Sequence, residues 1–238
     1  MQDTTLSTHN QVVLRRVVLF GTPLLLGLLE LGHPLLDHAN PIHMLAPIVT
    51  WWIVLHLLLV PLFALMGWTF FLLLDGVQSP AATLSRYATI VYISFSIGYD
   101  TAVGLVSGIL ASNAVALPSL QQGIVQQSLQ QLYMYPAIVL SYYILLGSGI
   151  VAIGSAARAL GRAGVPAVPV ILLLGTILAA YSHAIPFGPL GDACFFLAAL
   201  WIEFVWRPSS LRTLQALGRT QETPEQSKPI VNVSSGGE

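Results

Sequence analysis

The stretch "PIVTWWIVLHLLLVPLFALMGWTFFLLL", residues 47–74, contains no Asp, Glu, Lys or Arg. A helix needs about 20 apolar residues to cross the hydrocarbon core of a bilayer. Residues 47–74 exceed that length, so they predict a membrane-spanning helix that tilts or projects beyond the core. The only histidine in the stretch, His56, lies nine residues from its start, which is about 14 Å along a helix axis.

Comparable apolar runs recur along the 238-residue chain. Charged residues make up 8% of the chain and the apolar set AVILMFWYC 55%, whereas about a quarter of the residues in soluble domains are charged. We therefore predict an all-α polytopic membrane protein, a bundle of six transmembrane helices. The predicted spans are residues 17–36, 47–74, 87–111, 133–158, 165–183 and 191–206.

The distribution of basic residues predicts the orientation of this bundle. All nine Lys and Arg residues fall in the N-terminal segment, in the second and fourth connections, or at the C-terminal end. By the positive-inside rule, both termini are then cytoplasmic and the chain is a multi-pass protein of the cell membrane. Residues 1–207 form the transmembrane domain, and we expect the polar residues 208–238 to be a disordered cytoplasmic tail.

The third connection, which this orientation places outside, contains "PSLQQGIVQQSLQQLY", residues 118–133. Ser119 followed three residues later by Gln122 resembles a capping box, the signature of a helix N-terminus. The apolar residues among the glutamines indicate a short helix that lies on the outer membrane surface. A polar loop with some helical content is the alternative.

Two ionisable residues lie at membrane depth, Asp100 and His56. A charged side chain near the bilayer centre costs about 2.5–3.5 kcal/mol, so such a residue faces the interior of the bundle and has a partner. Ser96 and the glycines Gly104 and Gly108 share a helical face with Asp100, which predicts a close helix approach there. The structural alternatives are an Asp100 bonded to Ser96 or a neighbouring tyrosine, and a His56 bonded to another helix.

The stretch "ELGHPLLDHANPIHM", residues 30–44, holds three histidines and two acids. Glu30 and His33 lie at the outer end of the first span. Pro34 disfavours a helical His33, so we expect this helix to end near residue 32. The other three ionisable residues are predicted to be solvated loop residues: Asp37, His38 and His43.

Histidines from three different predicted helix ends or spans indicate a metal site. A catalytic zinc ion typically has three protein ligands and one open position, where it lowers the pKa of bound water to about 7. His33, His56 and His183 are the candidate ligands, and Asp100 would be a further ligand, an orienting group or a base. The predicted cofactor is therefore zinc, or else none.

Three histidines and one aspartate resemble, in residue types, the site of the alkaline ceramidase and adiponectin receptor group of seven-span hydrolases. The chain lacks that group's paired His-x-x-x-His and Ser-x-x-x-His motifs and has six predicted spans. The resemblance therefore extends to residue types alone and implies nothing further about the fold.

A metal-free enzyme is also compatible with these residues. Desolvated Asp100 and Glu30, with His56, would act as catalytic acid and base in an isoprenoid cyclase or isomerase. Trp52, Tyr99 and Ser96 are the predicted substrate contacts. In both versions we expect an integral membrane enzyme whose outward-facing cavity takes a lipid-like or isoprenoid substrate.

Two other membrane functions remain open. A small proton- or cation-coupled transporter would use Asp100 as its ion site, and a homodimer would supply further helices. A haem or quinone oxidoreductase would use His56 with His33 or His183 as axial ligands. The formal net charge of −1 indicates no nucleic-acid partner, and Cys194, the only cysteine, excludes an intrachain disulfide.

Overall fold

Helices account for all the regular structure in the computed structural model, which describes residues 3–35 and 39–207, with side chains from residue 10 onward. No strand occurs within those ranges. The α-helices are α1 (Asp3–Glu30), α2 (Pro41–Leu45), α3 (Val49–Leu73), α4 (Pro80–Tyr99), α5 (Val106–Ala114), α6 (Ser119–Tyr133), α7 (Pro136–Arg162), α8 (Ala167–Gly175), α9 (Ile177–Tyr181) and α10 (Phe187–Trp201). A 3₁₀ segment, Ala46–Ile48, joins α2 to α3, and a π segment, Asp100–Leu105, joins α4 to α5. A second π segment, Ile202–Trp206, follows α10.

Five helical segments are long and apolar enough to cross a membrane. They are Asn10–Glu30, Pro41–Leu73, Pro80–Ala114, Pro136–Arg162 and Phe187–Trp206. These segments confirm the prediction of a multi-pass membrane protein, and their bounds differ from the predicted ones by at most seven residues.

The predicted fifth span, residues 165–183, is the shorter apolar segment Ala167–Tyr181. Its helix is interrupted at Thr176 between α8 and α9. Fifteen helical residues extend about 22 Å, less than the roughly 30 Å hydrocarbon core. A membrane crossing by this segment, and with it the count of six spans and the orientation of the termini, stays a prediction.

Helices α8 and α9 pack along α10 in the opposite direction. A Cβ atom added to Gly175 in α8 would lie 2.8 Å from Sγ of Cys194, and one added to Gly191 would overlap the backbone of Ala179 in α9. Glycine at these positions lets the helices approach closely. The pair α8–α9 therefore returns the chain from the end of the bundle where α7 finishes to the end where α10 begins.

Apolar side chains lie on both the inside and the outside of the bundle. The interior packs leucines and aromatics from several helices, among them Leu55, Leu160 and Phe195, all 0% exposed. Leucines and isoleucines on the outer faces are more than half exposed, for example Leu28 and Ile171. An apolar exterior of this kind suits contact with lipid rather than water.

An ion-pair network closes the end of the bundle where α3 finishes. Glu203, only 9% exposed, contacts Arg15 at 3.3 Å, Arg16 at 3.8 Å and Arg207 at 3.4 Å. Arg15 also contacts Asp75 at 3.0 Å. The helical ion pair that Glu203 and Arg207 form at i,i+4 thus gains two arginines from α1. We name this end, defined by Arg15, Arg16 and Arg207, the arginine end.

The helix expected after the third span is present as α6, Ser119–Tyr133. The predicted capping box is wrong: Ser119 is the first helical residue and makes no capping hydrogen bond. Gln122 instead donates through its side-chain amide to the carbonyl oxygen of Leu117, at 2.9 Å. The position of α6 at the outer membrane surface stays a prediction, and the predicted tail, 208–238, lies outside the described residues.

Replacing Glu203 with Gln removes the negative charge that three guanidinium groups share. Removing one partner of a buried ion pair costs about 3–5 kcal/mol, and because the arginines are partly exposed we expect a loss near the lower limit, about 3 kcal/mol. Thermal unfolding of the detergent-purified protein would show this as a lower Tm. The matched control is Asp75→Asn, because Asp75 is 68% exposed and exposed pairs contribute about 1 kcal/mol or less. Equal destabilisation by the two variants would contradict the central role of Glu203.

Candidate functional site

Three histidines converge at the end of the bundle opposite the arginine end. His33 follows α1, His56 lies on α3, and His183 precedes α10. Nε2 of His33 lies 3.4 Å from Nε2 of His56 and 3.1 Å from Nε2 of His183. Ligand atoms of all three lie within 4.8 Å of one another, close enough to hold one metal ion.

The end of α1 is tied to the start of α3, which positions His33. Helix α1 ends at Glu30, and the backbone N–H of His33 donates to the Glu30 carbonyl oxygen at 3.0 Å. Trp51 Nε1 donates to the carbonyl oxygen of Gly32 at 2.9 Å. A helix end before Pro34 was expected from the sequence and is confirmed. The turn places a buried His33, 5% exposed, beside α3.

Backbone carbonyl groups determine which ring nitrogen carries the proton in two of the histidines. Nδ1 of His33 lies 2.8 Å from the carbonyl oxygen of Pro34, and Nδ1 of His56 lies 2.7 Å from that of Trp52. Because a carbonyl oxygen only accepts, both Nδ1 atoms must donate. Burial lowers the pKa of His33, which favours its neutral form. In neutral rings with this tautomer, Nε2 presents a lone pair.

Several hydrogen-bond acceptors therefore face one another. The Nε2 lone pairs of His33 and His56 lie 3.4 Å apart. Oδ1 of Asp100 lies 3.6 Å from Nε2 of His56 and of His183. Asp100 is 2% exposed, and no donor among the described residues hydrogen-bonds to either of its carboxylate oxygens. Nε2 of His183 can donate to Nε2 of His33, 3.1 Å away, but the His56 lone pair and the Asp100 carboxylate then stay unsatisfied unless a positive group lies among the four side chains.

The separations match the ligand set of a small tetrahedral ion. Nitrogen ligands at about 2.05 Å from a tetrahedral zinc ion lie about 3.3 Å apart. His33 already meets that separation with both partners. The remaining histidine pair, within 4.8 Å, needs to approach by at most about 1.5 Å. Asp100 would complete the set or orient a bound water molecule.

A π-helical segment and two glycines position Asp100 against α3. The chain changes from α4 to a π-helical segment, Asp100–Leu105, and π segments frequently occur at functional sites. Trp52 Nε1 donates to the carbonyl oxygen of Gly104 at 2.7 Å. A Cβ atom on Gly104 would overlap the His56 ring, and one on Gly108 would lie 2.7 Å from Cδ1 of Trp52. The close helix approach predicted at these glycines is confirmed.

The predicted neighbours of Asp100 line the site without binding its carboxylate. Ser96 Oγ donates to the carbonyl oxygen of Tyr92 at 2.8 Å, so the alternative in which Ser96 holds Asp100 is wrong. Ser96, Tyr99 and Trp52 all line the cavity that contains the histidines. Trp52, 1% exposed, packs on the His56 ring with a centroid separation of 4.3 Å. Their contact with a substrate stays a prediction.

The histidines and Asp100 lie in one cavity of about 460 Å³, within the 300–1,000 Å³ range of small-molecule sites. Along α3 its lining runs from Trp52 to Phe70, about 27 Å at 1.5 Å per residue. Beyond the histidines the lining is largely apolar, with Leu26, Phe63 and Met66. Exposed lining residues mark its opening: Leu35, Met134, Tyr143 and Tyr181.

Asp192 belongs to this site although the sequence did not single it out. It lines the cavity, is 1% exposed, and lies beside Glu30, which is equally buried. The predicted sixth span began at residue 191, which made Asp192 an edge residue. Helix α10 in fact begins at Phe187, so Asp192 lies more than a turn inside it. The sequence signal that could have identified Asp192 is an acidic residue inside an apolar helix.

Of the three residues predicted to be solvated, only His43 lies within the described residues, and it is not part of the histidine cluster. His43 lies on α2 and is exposed. Asp37 and His38 lie outside the described residues. Glu30, predicted at the rim of the cavity, is instead buried within it.

Comparison of the chain with protein-family models, with curated proteins and with solved structures gives no match. The function of the chain is therefore inferred from the geometry of this site.

Gly104→Ala tests whether the close contact between α3 and the π segment holds the histidine site together. The added methyl group would push the His56 ring away, and overpacking of this kind costs about 1–3 kcal/mol. We expect zinc affinity to fall by about tenfold or more, measured by competition with a chromophoric chelator. Gly98→Ala on α4 is the matched control, since nothing lies within 4 Å of a Cβ there. Equal affinities of the two variants would contradict the proposed packing.

Proposed function

We propose that this protein is an integral membrane hydrolase that binds one zinc ion with His33, His56 and His183 and acts on a lipid-like substrate. Asp100 is proposed as the fourth ligand or as the base that orients a bound water molecule. The reaction would take place inside the bundle, at the end of the cavity that the three histidines line.

The metal assignment rests on one observation. Buried acceptor atoms of the histidines and Asp100 converge on one point, and no positively charged group among the described residues lies between them. The carbonyl oxygens of Pro34 and Trp52 hold Nδ1 of His33 and His56 in the donor state. The Nε2 lone pairs then face each other and the Asp100 carboxylate. A divalent ion converts this repulsion into four attractive contacts.

The donor types favour zinc over other ions. Imidazole nitrogens suit zinc and related transition metals, while magnesium and calcium prefer oxygen ligands. A zinc ion with three protein ligands keeps a position for water and lowers the pKa of that water to about 7. The carbonyl contacts of Nδ1 are the outer hydrogen bonds that orient metal-binding histidines.

The shape of the cavity supports a long apolar substrate. Asp100 lies beside the histidines, and the wall continues past Phe63 and Met66 to Phe70. Exposed Tyr143 and Tyr181 at the opening lie on faces that suit lipid contact. A substrate from the bilayer would enter sideways, place its chain in the apolar part and present a polar ester or amide group to the ion.

The ion-pair network supports an enzyme over a transporter. An alternating-access transporter would have to open the arginine end during its cycle, which requires breaking the buried contacts of Glu203 with Arg15 and Arg207. Haem is disfavoured because three ring nitrogens and a carboxylate converge on one point, whereas an axially held haem needs a flat slot between two histidines.

Metal analysis of the detergent-purified protein tests the proposal. After chelation and reloading, we expect wild-type protein to hold one zinc ion per chain that His56→Ala loses, with at least a tenfold drop in occupancy. His43→Ala is the matched control, because His43 is exposed and outside the cluster. Zinc-dependent hydrolysis of a panel of lipid esters and amides should follow the same order.

Equal zinc content in the His43 and His56 variants, or no stoichiometric zinc in wild type, would show that the metal assignment is wrong and favour the metal-free acid–base enzyme. Tight zinc binding without zinc-dependent turnover of any lipid would contradict the hydrolase assignment.

A further inference from the structure

A pair of buried acids lies in the same cavity, apart from the histidine cluster. Glu30 is the last residue of α1, and Asp192 lies on α10. Each is 1% exposed, and their carboxyl groups lie within hydrogen-bonding contact of each other. The contact joins two helices that are adjacent in the bundle and distant in the chain.

Glycines one turn before each acid make room for the pair. A Cβ atom on Gly188, four residues before Asp192, would overlap Oε2 of Glu30. A Cβ atom on Gly27, three residues before Glu30, would lie 3.3 Å from Cβ of Asp192. Each helix therefore carries a glycine that accommodates the acid of the other helix. The pair is built into the helix packing.

Apart from their contact with each other, these carboxyl groups have few hydrogen-bond partners. No other donor among the described residues reaches either oxygen of Asp192 or Oε2 of Glu30. Ionised carboxylates only accept hydrogen bonds, and two unpaired buried charges side by side are strongly unfavourable. The pair is therefore stabilised either by a proton that the two carboxyl groups share or by a cation bound between them.

Buried hydroxyl groups line the same cavity. Thr89 is 0% exposed and Thr176 is 3% exposed, both line the cavity, and Oγ1 of each lacks a hydrogen-bond partner among the described residues. Thr89 lies on α4 and Thr176 at the interruption between α8 and α9, and both hydroxyl groups would be available as oxygen ligands. Tyr92 lies close enough to interact electrostatically with both acids. All of these donors are oxygens.

We propose that Glu30 and Asp192 bind a second, hard divalent cation of the magnesium or manganese type, beside the histidine site. Oxygen-only ligand sets suit such ions, whereas the imidazole set suits zinc. Asp100, Glu30 and Asp192 together carry three negative charges when ionised, and one divalent ion at the histidines balances only two. The second site depends on its own two acids and not on the histidines.

Manganese titration of the zinc-loaded, full-length protein in detergent tests this proposal. Binding removes the electron paramagnetic resonance signal of free Mn²⁺, so the bound fraction is counted directly. We expect one saturable Mn²⁺ per chain in wild type and at least tenfold weaker binding in Asp192→Asn and Glu30→Gln. Asp75→Asn, an exposed acid at the arginine end, is the matched control and should bind Mn²⁺ as wild type does.

The His56→Ala variant separates the two sites. It should lose zinc and keep one Mn²⁺ per chain, a result that supports the second site even if neither acid variant folds. Absence of saturable Mn²⁺ binding in wild type would overturn the proposal in favour of a shared proton. Loss of Mn²⁺ in His56→Ala would also overturn it, because the ion would then belong to the histidines. Failure of the zinc proposal is distinct, since it shows as zinc content that does not depend on His56.

Discussion

Two hydrogen bonds to backbone carbonyl groups determine the chemistry of this cavity. They run from Nδ1 of His33 to Pro34 and from Nδ1 of His56 to Trp52. Because each carbonyl oxygen only accepts, both histidines turn an Nε2 lone pair toward the same point, where Asp100 adds a carboxylate. The zinc proposal follows from this convergence of acceptor atoms.

Helix packing and ion pairs position ionisable side chains at both ends of the bundle. At the site, Gly104 and Gly108 bring α3 against the π segment that carries Asp100, so His56 and Asp100 approach to 3.6 Å. At the arginine end, Glu203 links α10 to arginines of α1. The buried acids and histidines of the bundle are thus concentrated toward its two ends, and the largely apolar part of the cavity lies between them.

Depth and residue type made much of the site predictable. Ionisable residues at membrane depth must face the interior and find partners, which singled out Asp100 and His56. His33 and His183 were candidates because they lie at the same predicted end of the bundle, and the structure brings them to His56. Their roles in catalysis remain predictions.

The features that could not be predicted from the sequence depend on tertiary structure. Asp192 was placed at a helix edge because "IPFGPLGD", residues 185–192, contains two prolines and two glycines, a composition typical of a loop. Proline is tolerated in the first turn of a helix, and α10 begins at Phe187. The π segment at Asp100 has no sequence signature, and the broken pair α8–α9 follows an interruption at Thr176 within an apolar run that reads as continuous.

X-ray absorption spectroscopy at the zinc edge of the loaded, detergent-purified protein tests the central claim most directly. The convergence of His33, His56 and His183 predicts four nitrogen or oxygen ligands at about 2.0–2.1 Å, with the outer-shell scattering that three imidazole rings produce. Six oxygen ligands without imidazole scattering would contradict the account, because the zinc ion would then lie outside the histidine cluster.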